Sequence, residues 1–312
     1  MTISAVNFRT LFFSALVLAV CVSGSVLYAQ EIPLKTCTFI GAKGAKWSEA
    51  ESWENGTIPK TLQDRALFPA TMSDGSVLID ILGINLGELA LESSSLQVKP
   101  EGINTLRVKT LRVSGSASLL QPRDAMPTFV EVENLVVAEG GTLQLGFYAG
   151  FSLAGFQVSG TSTVAGRLGI ACADASVDLG ALVLNGTMTL GAQGIPSIEV
   201  TVRSLKGSGK IASSATPENS FSGMLIVKTP ADAKSEFSGS IGNALPNVQN
   251  PSADQTMSLT KEGPGAQILT GASTFTGPTA IRGGTLILGP GGSLASPVTG
   301  EGGKLERAIP PQ

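Results

Sequence analysis

The chain has 312 residues, enough for one elongated domain or two compact ones, and carries 21 basic and 24 acidic side chains for a formal charge of −3. That balance gives no basic footprint for nucleic acid, and the absence of histidine excludes Ser-His and Cys-His nucleophile pairs and every histidine-based metal site. Charged residues are only 14% while glycines number 38, which favours short strands and tight turns over helices.

Residues 1–29 read as a secretory signal peptide. Arg9 supplies the positive start, Leu11 to Val22 the apolar stretch, and Ala29-Gln30 the cleavage point. The apolar run is shorter than the ~20 residues of a membrane span, so an exported mature chain without a transmembrane segment is expected. Leu18-Ala19-Val20-Cys21 loosely resembles a lipoprotein cleavage box, though Val20 is larger than the small residue usual there. Cys37 and Cys172 remain in the mature chain. They read as small buried residues in preference to a disulfide, which an oxidising compartment would permit.

Residues 30–69 read as an N-terminal cap. Both tryptophans of the chain, Trp47 and Trp53, lie here, followed by Pro59 and Asp64-Arg-Ala-Leu-Phe68. A solenoid must cover its first apolar cross-section, and Trp does this well. Sugar stacking on exposed tryptophans is the functional rival.

From residue 70 to 295 an apolar-x-apolar pattern recurs. Its copies are Leu89-Ala-Leu91, Leu111-Arg-Val113, Leu135-Val-Val137, Phe156-Gln-Val158, Leu182-Val-Leu184 and Leu205-Lys-Gly207, starting 21 to 26 residues apart. Strand side chains alternate faces, so Leu111, Val113, Leu135, Val137, Phe156, Val158, Leu182 and Leu184 are expected inside, stacked in columns. The intervening Ala90, Arg112, Val136, Gln157, Val183 and Lys206 are expected outside. Turn chemistry such as Ser114-Gly-Ser, Glu139-Gly-Gly and Asn185-Gly-Thr separates the strands. The expected fold is all-β, a right-handed parallel β-helix or solenoid with no large helix after the signal. An antiparallel sandwich, with turns every 8 to 12 residues, is the competitor.

Phe-Ser/Thr-Gly occurs at Phe221, Phe237 and Phe275. The last belongs to Ser258-Leu-Thr-Lys-Glu-Gly-Pro-Gly-Ala-Gln-Ile-Leu-Thr-Gly-Ala-Ser-Thr-Phe-Thr-Gly-Pro-Thr-Ala-Ile-Arg-Gly-Gly-Thr-Leu-Ile-Leu-Gly289. This segment resembles the autotransporter-associated β-strand repeat of bacterial passenger regions. Leu259, Thr260, Lys261, Gly263, Gly265, Leu269, Gly271, Phe275, Thr276, Gly277, Thr279, Ile281, Gly284, Leu286, Leu288 and Gly289 fall on its pattern. The Trp47…Trp53…Pro59…Asp64-x-Ala-x-Phe68 run resembles the opening of many such proteins, with Ser52 where Asn is usual. The resemblance implies the tripeptide at the same place in successive coils, with a half-degenerate copy over residues 219–242. Ala244 to Gln255 reads as a loop between coils. Residues 296–312 read as a flexible tail. No outer-membrane barrel pattern is present, so separate export machinery is expected.

The remaining chemistry is carboxylate-based. Many parallel β-helices act on polysaccharides, and a glycosidase needs two acids ~5–9.5 Å apart. The candidates are Asp174 with Asp178, and Asp124 with Glu131 and Glu133. No Gly-rich phosphate loop or calcium-loop pattern is seen, so neither cofactor nor metal is expected. The sequence is therefore read as a noncatalytic exported surface or secreted solenoid with a structural or adhesive role. Cell-envelope components or glycans would be its partners, at a periplasmic, surface or extracellular address. The alternative is a polysaccharide lyase or glycoside hydrolase on the same scaffold.

Overall fold

The structure, a computed structural model, describes residues 33–72, 75–93, 96–100, 105–120, 129–146, 153–172, 175–191, 195–213, 221–244 and 255–308. The signal segment, Cys21, Asp124, Asp174 and residues 245–254 lie outside that range. Among the described residues every strand pair is parallel, and the one antiparallel contact is an isolated bridge between Phe39 and Trp53. This decides for the solenoid and against the sandwich.

The coils have three faces. In Thr105–Val113 the inward residues are Leu106, Val108, Leu111 and Val113, so Lys109 and Thr110 both turn outward and the strand bends between them. Phe129–Val137 pairs along the whole of that strand and has the same pattern. Above it the two halves separate: Gly155–Val158 stacks on the first half and Thr161–Val164 on the second. Ser159-Gly160 forms the corner, tied down by the Gly160 N–H donating to the Glu133 carbonyl at 2.8 Å. The third face is the stack Ser116–Leu119, Thr142–Leu145, Arg167–Ile170, Thr187–Leu190, Lys210–Ser213 and Ser240–Gly242.

All eight residues expected inside are buried, but their stacking differs from expectation. Leu89, Leu111 and Leu135 are in register, and the next residue in that column is Ser162, followed by Leu182 and Leu205. Phe156 and Val158 stand instead on Val130 and Val132, one face earlier. Each coil presents apolar-x-apolar on two faces, and the sequence reading joined strands from different ones. Ser162 is tolerated among aliphatic neighbours because its hydroxyl donates to the Leu179 carbonyl at 2.7 Å. Of the residues expected outside, Ala90 is buried, lying in register between Leu67 and Arg112.

The phenylalanine tripeptides are also placed differently. Leu225, Leu259 and Thr279 form one column, and Phe275 precedes Thr279 by as many residues as Phe221 precedes Leu225. Phe221 and Phe275 thus correspond, with Gln255 in the coil between them, whereas Phe237 pairs with Leu269 on another face. All three rings are buried.

The stack extends beyond the expected 70–295 in both directions. Lys35–Thr38 and Asp64–Phe68 already belong to the large sheet, so residues 30–69 hold part of the first coils as well as the cap. At the other end Val298–Gly300 pairs with Thr279–Ile281, and Lys304–Arg307 with Thr285–Leu288. Residues 298–307, read as part of a flexible tail from 296, therefore form strands of a further layer. Backbone hydrogen bonds to the strands beneath, such as the Glu301 and Lys304 N–H groups donating to the Ile281 and Gly284 carbonyls at 2.9 Å, hold this segment in the stack.

The cap is an aromatic cluster. Trp47 and Trp53 pack edge-on with centroids 4.7 Å apart, and Phe39 and Phe68 complete the group. The Trp47 indole donates to the Pro59 carbonyl and the Trp53 indole to the Trp47 carbonyl, both at 2.9 Å. Neither ring is exposed to a sugar. Asp64 closes the same loop, accepting from the Lys60 and Thr61 N–H groups and the Thr61 hydroxyl at 2.8–3.0 Å. Burial raises its pKa, but these bonds outweigh that effect and hold the carboxyl below the ordinary range.

Candidate functional site

The acids named from the sequence do not come together as a described site. Asp174 and Asp124 are outside the described residues. The Asp178 carboxylate accepts from the Gly180 N–H at 2.8 Å, capping the turn it precedes. Glu131 pairs with Arg107 at 2.8 Å on an exposed face, and Glu133 is exposed beside Asn134. Cys37 and Cys172 are buried thiols of the core and not a disulfide. Burial, and then the Asp64 charge, push the Cys37 thiol up, away from the thiolate a nucleophile requires. Among the described residues no group of three or more acidic or thiol side chains is placed to hold a metal.

Ion pairs link successive layers both in the early coils, where Arg65 and Arg112 flank Glu88, and in the coils from 203 onward. At the corner that follows the first face, Lys228, Glu262, Arg282 and Glu301 succeed one another from coil to coil. Lys228 lies 3.6 Å from Glu262, Arg282 lies 3.5 Å from Glu262, and Arg282 lies 3.0 Å from Glu301. One position below, Arg203 reaches back across a coil to the carbonyls of Ser159 and Gly160. These exposed pairs contribute little stability each, about 0–1 kcal/mol, but like charges meeting after a register slip would be unfavourable.

Two polar side chains of this region point inward. Lys261 stands in a column between Val227 and Ile281 and is fully buried. Its ammonium donates to the carbonyls of Glu262 at 2.6 Å, Gly263 at 2.9 Å and Gly283 at 3.2 Å. Burial lowers its pKa, partly offset by the Glu262 charge. Gly263 turns this corner with φ near +72°, where a Cβ would also strike the Thr229 carbonyl.

Gln267 is buried beside Ser235 and spans a break in the second face. There Ser204–Lys206 and Lys234–Phe237 are joined only by the Gly207–Phe237 bridge. Its amide donates to the Leu205 carbonyl at 3.0 Å and accepts from the Leu205 N–H at 3.3 Å and the Ser235 hydroxyl at 2.6 Å. The side chain thus takes the place of a missing strand partner. Sequence reasoning quoted Lys261 only as a motif position and passed over Gln267. The available signal was parity: each lies two residues from a leucine, Leu259 and Leu269, and so shares its inward face.

This corner and this splice fall inside one segment that matches a known family. Residues 259–288 match the passenger-associated-transport-repeat family. The match agrees with the resemblance drawn from the sequence, and it spans two strand layers on each of two faces, with Lys261 and Gln267 in the lower one. Such a repeat implies an exported or surface protein. No curated protein and no solved structure matches the chain significantly. No helix among the described residues is long and apolar enough to cross a membrane, which says nothing of strands that do so.

Proposed function

We propose that this chain is a noncatalytic exported solenoid whose role is structural or adhesive, presenting its outer faces to cell-envelope components or glycans. The observation that carries the reading is the passenger-associated-transport-repeat at 259–288, continuous in register with the coils beneath it. Described acids that might have served catalysis are engaged otherwise: Asp178 caps a turn and Glu131 pairs with Arg107. The outer columns offer Ser116, Thr142 and Thr187, interrupted by Arg167 and Lys210. A surface of that kind suits many weak contacts, with avidity in place of a pocket.

The test is a screen of the purified mature protein on plant, microbial and mucin-type glycans, scoring both binding and new reducing ends or unsaturated products. Binding without turnover is expected. Reproducible turnover abolished by Asp174→Asn or Asp178→Asn would replace this reading with that of a polysaccharide-active enzyme. Fractionation of the native cells should place the protein outside the cytoplasm.

A further inference from the structure

We propose that Lys261 is a cross-coil tether, a buried hydrogen-bond donor that fastens the coil containing Thr279–Ile281 and Thr285–Leu288 to the coil beneath it. Three layers of backbone meet at its ammonium. The Glu262 carbonyl that accepts from it also accepts the Thr229 N–H of the layer below at 3.1 Å. The Gly263 carbonyl belongs to the corner of its own layer, and the Gly283 carbonyl to the corner above. The backbone of Lys261 grips the same upper corner, its carbonyl accepting the N–H groups of Arg282 at 2.8 Å and Gly283 at 3.3 Å. One residue therefore holds the upper corner through both its carbonyl and its side chain.

Donation, and not charge, is what the tether uses. The other charged groups at this corner are Glu262 on the same strand, Lys228 on the strand below, and Arg282 and Glu301 above. They form the outer ladder and are engaged with one another, while the carbonyls around the ammonium are neutral. A deprotonated amine keeps two N–H donors for three acceptors, so loss of the proton leaves most of the tether in place. The lowered pKa accords with this, since the neutral form is the better tolerated one here. An aliphatic side chain of similar length donates nothing: the Glu262 carbonyl keeps only the Thr229 N–H, and the Gly263 and Gly283 carbonyls lose this donor at a half-buried corner.

Backbone amide exchange of the full chain separates the alternatives, comparing wild type with Lys261→Met and Lys261→Gln. In Lys261→Met, amides of residues 279–288 should exchange about tenfold faster or more, as expected for leaving partly buried carbonyls without their donor, while those of 161–190 keep their rates. Lys261→Gln, uncharged but with two N–H donors, should recover at least half of the lost protection on a logarithmic scale. In the wild type, protection of 279–288, corrected for intrinsic exchange, should persist from pH 8 to 10.5. Unchanged exchange in Lys261→Met would overturn the tether, and a glutamine variant no better than methionine would overturn the assignment to donation. If only Lys261→Met fails to fold, the tether is supported; if both variants fail, it is rejected.

Discussion

Val137 and Val136 are neighbours in one strand with opposite fates, and replacing each by aspartate tests the inward and outward assignment directly. Val137 is fully buried, with Val113 below and Val164 above in register, so a carboxylate there faces methyl groups and no donor. Losing the buried valine costs about 1.5–3 kcal/mol. Burying a carboxyl without a partner adds about 2–7 kcal/mol, depending on how far water can enter. Val137→Asp should therefore destabilise by at least about 3.5 kcal/mol, near or within the range where single substitutions are exceptional. Coils contact only their neighbours, so the damage should spread from this layer into those containing Val113 and Val164. Val136→Asp, on the outer face beside Arg112, should stay within about 1 kcal/mol of the parent. The assay is urea unfolding followed by far-ultraviolet circular dichroism, repeated at pH 7 and pH 4. The introduced carboxyl would have its folded pKa raised above the unfolded value of ~3.9, so its penalty should shrink at the lower pH. Equal midpoints for the two variants, or a Val137→Asp protein that unfolds like its parent, would refute the column assignment.

Trp53→Ala removes a fully buried ring from the cap and should cost about 3–5 kcal/mol in unfolding experiments while leaving glycan binding by the folded protein unchanged. Asp64→Asn should lose about 1–3 kcal/mol at neutral pH, because the carboxylate accepts three hydrogen bonds. Since the Asp64 pKa is lowered on folding, its contribution is complete above ~3.9 and disappears as pH falls through the folded value; acid titration of stability should show this step in the wild type and not in the variant. Lys261 has the same sign at the alkaline end. Its pKa is lowered on folding, so between the folded value and ~10.4 the unfolded chain binds more protons, and this group's contribution grows as pH rises. Urea midpoints from pH 8 to 10.5 should shift in favour of wild type over Lys261→Met, and a narrowing difference would count against the assignment.

Much of this architecture was legible in the order of residues. Alternation with period two settled which side chains turn inward, because a strand offers only two faces, and all eight aliphatic or aromatic positions taken as interior are buried. Asn-Gly and Ser-Gly pairs marked corners, the two tryptophans marked the cap, and the spacing of Leu259, Lys261, Gly263 and Leu269 marked the repeat. What alternation cannot supply is which strand stands on which. Phe156-Gln-Val158 and Thr161-Ser-Thr-Val164 are equally good strands, and only the register of the whole stack sets the first above Val130 and the second above Leu135. The interior polar residues were hidden for a related reason. Ser162, Lys261 and Gln267 would each be costly inside an aliphatic column. Beside the local carbonyls that Lys261 and Gln267 also use, each draws on a backbone group of another turn, 17, 22 and 62 residues away. Those partners reach them only because successive turns of the chain lie on top of one another.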